Sequence, residues 1–96
     1  MKAVSSLLPG FLRQFARDEA AVYACLCEFW PRIVGEQLAA KTFPLRFGRK
    51  RLVLETPNDL WRAELEAMKE DLILWINKFW GIDLVEQINF KAHQSD

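Results

Sequence analysis

Between positions 41 and 51 the chain carries Lys41, Arg46, Arg49, Lys50 and Arg51 and no acid. Five cations so close together are the residue types that hold phosphates, through charge and through guanidinium donors. From 55 to 71 the sign reverses, with Glu55, Asp59, Glu64, Glu66, Glu70 and Asp71 against Arg62 and Lys69. Over the whole chain, 13 Lys and Arg balance 13 Asp and Glu, giving a formal net charge of zero. That excludes a strongly basic, histone-like nucleic-acid binder and leaves room for a local patch. Two readings of the basic stretch stay open. It contacts phosphates, or it protects an edge strand and keeps it soluble.

Other chemistry finds less support. His93 stands alone in the polar tail Ala92-His93-Gln94-Ser95-Asp96, and a metal site takes three or four converging ligands. Cys25 and Cys27 are two apart, which on a helix turns their side chains about 200° from each other. They read as free, small apolar thiols suited to a reducing compartment. Glu64, Glu66, Glu70 and Asp71 fall on one helical stretch, where nothing holds a carboxylate pair apart in a pocket for acid–base work. Gly10, Gly35, Gly48 and Gly81 are scattered and form no phosphate-cradling loop. The expectation is a non-enzyme without cofactor or metal. Of the four tryptophans, Trp30 and Trp61 suit a core. Trp75 and Trp80 fall beside the apolar stripe; they either anchor a protein partner or cap the sheet.

The elements that must position these residues follow from periodicity. Leu7, Leu8, Phe11, Leu12 and Phe15 predict an amphipathic helix over about 5–17. Asp18 suits an N-cap, and Val22, Leu26, Phe29, Ile33 and Leu38 extend a second helix to about 41, with a kink or a restart expected at Trp30-Pro31. Phe43, Leu45 and Phe47 alternate with polar residues, Gly48-Arg49-Lys50 suits a turn, and Arg51 to Thr56 reads as the second strand of a hairpin. Thr56 as cap and Pro57 as first helical residue start a long helix over about 58–80, with the stripe Trp61, Leu65, Met68, Leu72, Ile76 and Phe79 and a Gly81 stop. Leu84 to Phe90 suits a last strand. The fold class is thus α+β, in the order helix-helix-strand-strand-helix-strand, with a three-stranded mixed sheet packed by the long helix. A right-handed parallel connection is expected. The 96 residues, 51% of them apolar, fit one domain over 1–96, ending in a polar tail. Ser5-Ser6 and Pro9-Gly10 interrupt the N-terminal apolar stretch, so no signal peptide is read. No run approaches the roughly 20 apolar residues of a membrane span. A cytoplasmic location is expected.

At this point several motifs fall in order. Phe29-Trp30-Pro31-Arg32-Ile33-Val34-Gly35-Glu36-Gln37-Leu38-Ala39 resembles the W-x-x-I-V-G-x-x-L-A signature of the bacterial DciA family. Thr42 to Leu45, Gly48 to Leu54, Asp59 to Leu65 and Leu84 to Phe90 are similar to the family's later segments in register, so the likeness covers about 5–91. The resemblance implies a domain similar to the second type of K-homology fold. It also implies an ATP-independent partner of the replicative DNA helicase that helps load it and binds DNA, single-stranded or tailed duplex, without sequence preference. Trp30, Val34, Gly35, Leu38, Trp61 and Leu65 match the signature at positions that look structural. Lys41, Arg46, Arg49, Lys50 and Arg51 are the candidate DNA contacts, chosen by charge rather than by motif. Gly48-Arg49-Lys50-Arg51 lacks the second glycine of the K-homology GxxG loop. The family's helicase contact also involves a tail beyond the domain, and this chain ends at Asp96. The alternatives are a stand-alone protein-interaction domain, with self-association through an exposed apolar surface as a variant, and an RNA-binding module.

Overall fold

A computed structural model describes residues 17–92. The helix expected over 5–17, all but its last residue, and His93 lie outside them. Helix α1 runs Glu19–Val34. Asp18 caps it as expected, its carboxylate accepting the Ala21 N–H at 3.1 Å. Val22, Leu26, Trp30 and Ile33 form its buried stripe. Pro31 does not break it. The helix continues to Val34 and ends at Gly35, at φ 91° and ψ 156°. One turn from the helix end, Pro31 deprives only the Cys27 carbonyl of its donor. Gly35 takes a conformation essentially reserved for glycine. A Cβ there would meet nothing within 4 Å, so backbone freedom, not close packing, requires this glycine. A short helix α2, Glu36–Ala39, follows. Trp30 then ties the segment together. Its Nε1–H donates to Thr42 Oγ1 at 2.8 Å, and the Thr42 hydroxyl donates to the Leu38 carbonyl at 2.7 Å.

Strands β1, Phe43–Gly48, and β2, Arg51–Thr56, form the expected antiparallel hairpin. The glycine is not where the turn is strained. Arg49 (φ 50°) and Lys50 (φ 62°) are the two central residues, both left-handed. This is the geometry of a two-residue primed turn, which favours Asn-Gly. Each non-glycine residue there costs roughly 1–2 kcal/mol. Replacing Lys50 by Gly should therefore raise stability by about 1 kcal/mol. The Lys50–Glu86 ion pair it removes is exposed and 3.5 Å long, and such pairs contribute little. A higher urea midpoint with unchanged slope is the readout, and a lower midpoint would refute it.

The expected long helix is two. Helix α3, Asp59–Ala67, and helix α4, Lys69–Trp80, meet at Met68, whose φ of −101° leaves the helical range. Asn58, not Thr56, is the N-cap, its Oδ1 accepting the Trp61 N–H at 2.9 Å. Thr56 is buried as the last residue of β2. Gly81 ends α4 in the left-handed conformation, φ 80°. Strand β3, Gln87–Ala92, starts later than expected. Leu84 and Val85 are buried in the preceding loop, because Asn77 takes their N–H groups out of reach of the ladder. The sheet order is β1-β2-β3, with β2 and β3 parallel. The structure is therefore α+β with a three-stranded mixed sheet. Leu52, Leu54, Ile88 and Phe90 on one sheet face join Val22, Leu26, Leu65, Leu72, Ile76 and Trp80 from the helices in one core. No helix among the described residues is long and apolar enough to cross a membrane.

Candidate nucleic-acid interface

The other sheet face carries what the core rejects. In β2, Leu52, Leu54 and Thr56 point inward, so Arg51, Val53 and Glu55 point outward. In β3 the outward residues are Gln87, Asn89 and Lys91. Register sets them in rows. Arg51 lies beside Gln87, Val53 beside Asn89, and Glu55 beside Lys91. Strand β1 adds Arg46 opposite Val53 and Phe43 opposite Glu55. None of the described helices buries this face. Every residue on it is exposed or half-buried.

Three of the five candidate cations converge at one corner. Arg46, Arg49 and Arg51 line a groove of about 610 Å³ with Glu19, Phe47, Gly48, Val53 and Asn89. Arg51 is aimed by Gln87, whose Oε1 accepts from both Nε (3.1 Å) and Nη2 (2.8 Å). A neutral acceptor orients the guanidinium and leaves its charge available. Arg49 is placed by the turn. Its backbone N–H donates to Glu19 Oε2 at 2.6 Å, and the Lys50 carbonyl accepts from Glu86 N (2.8 Å) and Gln87 N (3.2 Å). Those bonds hold the strained tip between the start of α1 and the start of β3. None of the three guanidiniums forms an ion pair with another described residue. Three guanidiniums lining one groove suit an anion with several oxygens.

The other candidates go elsewhere. Lys50 pairs with Glu86 and lines a neighbouring cleft with Arg17, Phe47, Ile82 and Leu84, to which Arg49 and Glu19 also contribute. Lys41 precedes β1, about 20 Å of extended chain from the tip, and its Nζ lies 5.5 Å from the centre of the Trp61 ring. Trp80, expected as a possible partner anchor, is fully buried instead. With the helix restarting at Met68, Leu72, Ile76 and Trp80 share one inward line at four-residue spacing. Trp75 is half-buried and lines a shallow groove with Arg32, Ile33, Lys78 and Phe79. The thiols of Cys25 and Cys27 are free and half-buried on α1. Burial, and then the nearby Glu28 charge, push the Cys25 pKa up, which keeps it a thiol. Among the described residues no group of three or more His, Cys, Asp or Glu could hold a metal.

Charge alone missed Gln87, Glu19, Asn89 and Phe43. Nothing in their types singles them out. They belong to the face through strand register and through a contact between residues 30 apart in sequence. No curated protein matches the chain. A family model described as Dna[CI] antecedent, DciA, matches residues 3–90. With nearly all of its length inside that match, the chain belongs to the DciA family, which ties it to DNA replication.

Proposed function

We propose that the protein is a non-enzymatic replication accessory module of the cytoplasm that holds DNA at Arg46, Arg49 and Arg51 and meets the replicative helicase to assist its loading. The observation that carries this reading is the convergence of three guanidiniums, without ion pairs to other described residues, in one open groove on a sheet face. Phosphates are the ligand such a cluster fits, and neutralising them releases counterions. The element order and the parallel β2–β3 pair support a K-homology-like arrangement of the second type. For the helicase contact we assign Trp75, a half-buried ring beside the cations Arg32 and Lys78. Tryptophan and arginine are favoured at such contacts. The same groove favours a second reading, a protein-interaction domain that binds no DNA.

Fluorescence anisotropy of labelled single-stranded and tailed duplex DNA over a salt series separates the two. Three phosphate contacts to a single strand predict that log K falls against log salt with a slope of about −2. No binding at low salt would overturn the DNA reading. Capture of the purified replicative helicase by the wild-type chain and not by Trp75→Ala is the expected result for the protein contact. Equal capture by both would remove Trp75 from it.

A further inference from the structure

The outward sheet face has a second end, marked by an aromatic ring. Phe43 is 53% exposed there. Its place is the work of a β-bulge. The β1–β2 register shifts between Pro44 and Arg46, leaving Leu45 as the extra residue. In a regular strand, residues three apart point to opposite faces. The bulge reverses that parity, so Phe43 and Arg46 both face outward while Phe47 pairs with inward Leu52. The alternation expected for Phe43, Leu45 and Phe47 is therefore broken at Leu45. Helix α1 braces the irregularity, the Tyr23 hydroxyl donating to the Pro44 carbonyl at 2.9 Å. Its phenol is kept protonated, its pKa raised by a hydrogen bond with Cys27 first and by burial second. Bulges are a recurrent means of re-aiming a side chain. Here the result is a large apolar ring turned out of the core, onto the face that carries the arginines.

The surroundings select what meets that ring. Phe43 lies opposite Glu55, and Glu55 lies beside Lys91. Lys41 lines the same cleft as Phe43 and Glu55, its ammonium over the Trp61 ring, so two bases face one acid here and this end carries less excess positive charge than the arginine corner. The arginines are one short step away, about 10 Å along β1 from Phe43 to Arg46. A ligand spanning both ends offers anions to one and a flat apolar surface to the other.

We infer that Phe43 is a base-stacking platform, so that the outward sheet face takes a single strand, with phosphates on the arginine corner and an unpaired base on the Phe43 ring. This rests on the DNA reading above and adds the residue that takes a base. A duplex keeps its bases stacked on one another and cannot give one to the ring. Stacking on an aromatic side chain contributes enough to change affinity several-fold to more than tenfold per base, with little regard to sequence.

The test compares three probes of equal length at one salt concentration: oligo-dT, the same backbone with abasic sites throughout, and a blunt duplex. Wild type is expected to bind oligo-dT about tenfold tighter than the abasic strand. Phe43→Ala should lose that advantage and keep its affinity for the abasic strand, while Phe43→Trp should retain it. Binding of all three probes with no effect of Phe43→Ala would overturn the platform and leave the arginine corner standing. No binding of any probe by wild type would overturn the DNA reading itself. A change from dimer to monomer on Phe43→Ala, read by sedimentation, would assign the face to a second copy of the chain and overturn the proposal.

Discussion

Reversing Arg46, Arg49 and Arg51 together to Glu is expected to weaken binding of single-stranded DNA by at least about a hundredfold at low salt. Each guanidinium–phosphate contact is a charge-assisted hydrogen bond, contributing about 1 kcal/mol net at an exposed site, and three sum to roughly 3 kcal/mol. Repulsion between the new carboxylates and the strand adds to that loss. The dependence on salt should disappear, because no counterions are released where no phosphate is neutralised. Lys50→Glu is the informative control. Lys50 lies next to the arginines in sequence but faces Glu86. Its reversal should change affinity only a few-fold, through the general field. The substituted arginines are exposed, and surface changes of this kind usually alter stability by less than about 1 kcal/mol. Unfolding should therefore not explain the result, and the circular dichroism spectrum and melting midpoint of the triple variant check this. Retained binding in a folded triple variant, or an equal loss in Lys50→Glu, would mean that the DNA lies elsewhere.

The second large effect concerns stability. Asn77→Ala is expected to destabilise the protein by about 2 kcal/mol. Asn77 lies on α4, and its side chain is the frame of the loop that follows. Its Oδ1 accepts from Leu84 N (3.0 Å) and Val85 N (2.8 Å), and its Nδ2 donates to the Val85 carbonyl (3.0 Å). Leu84 and Val85 are core residues. Without Asn77, the Val85 N–H and carbonyl lose this partner, while Leu84 N keeps the Ile82 carbonyl at 2.9 Å, and each group so left costs about 1–3 kcal/mol when buried. Partial access of water keeps the sum near the lower end. For a domain of this size the loss corresponds to a fall in Tm on the order of 10 °C. Asn77→Leu, which fills the space without a polar atom, should be as damaging as the alanine. Asn77→Asp keeps the acceptor for both N–H groups and should cost less. A midpoint for Asn77→Ala within a few degrees of wild type would show that the loop holds itself.

Asn77 also shows where reading along the chain stops. It is one polar residue on a helix, and nothing in its neighbours marks it as the partner of a loop seven and eight residues on. The late start of β3 follows from it and was equally hidden. Met68 is similar. The apolar spacing runs through it without a break, yet α3 packs against the sheet while α4 packs against α1 and β3. One straight helix does not serve both contacts. Pro31 is a strong local signal that does not end the helix. A proline near a helix end costs little when the buried stripe on either side of it is held by the core, and the chain turns instead at the glycine that follows.

By itself the sequence determined the elements and their class. Apolar spacing marked the helices and strands, Asp18 and Gly81 marked helix ends, and the run from Lys41 to Arg51 marked the cations. These are local properties, set within a few residues by side-chain period, capping and charge. The family likeness also followed from residues in order along the chain. Only the tertiary structure decided which cations act together. It put Arg46, Arg49 and Arg51 in one groove, set Lys50 against Glu86 in a neighbouring cleft that Arg49 also lines, and left Lys41 beyond the other end of β1. It also buried Trp80 and turned Phe43 outward. The physical reason is parity and register. A single inserted residue, Leu45, exchanges the faces of everything on one side of it, and no periodicity in the strand's own residues announces the insertion.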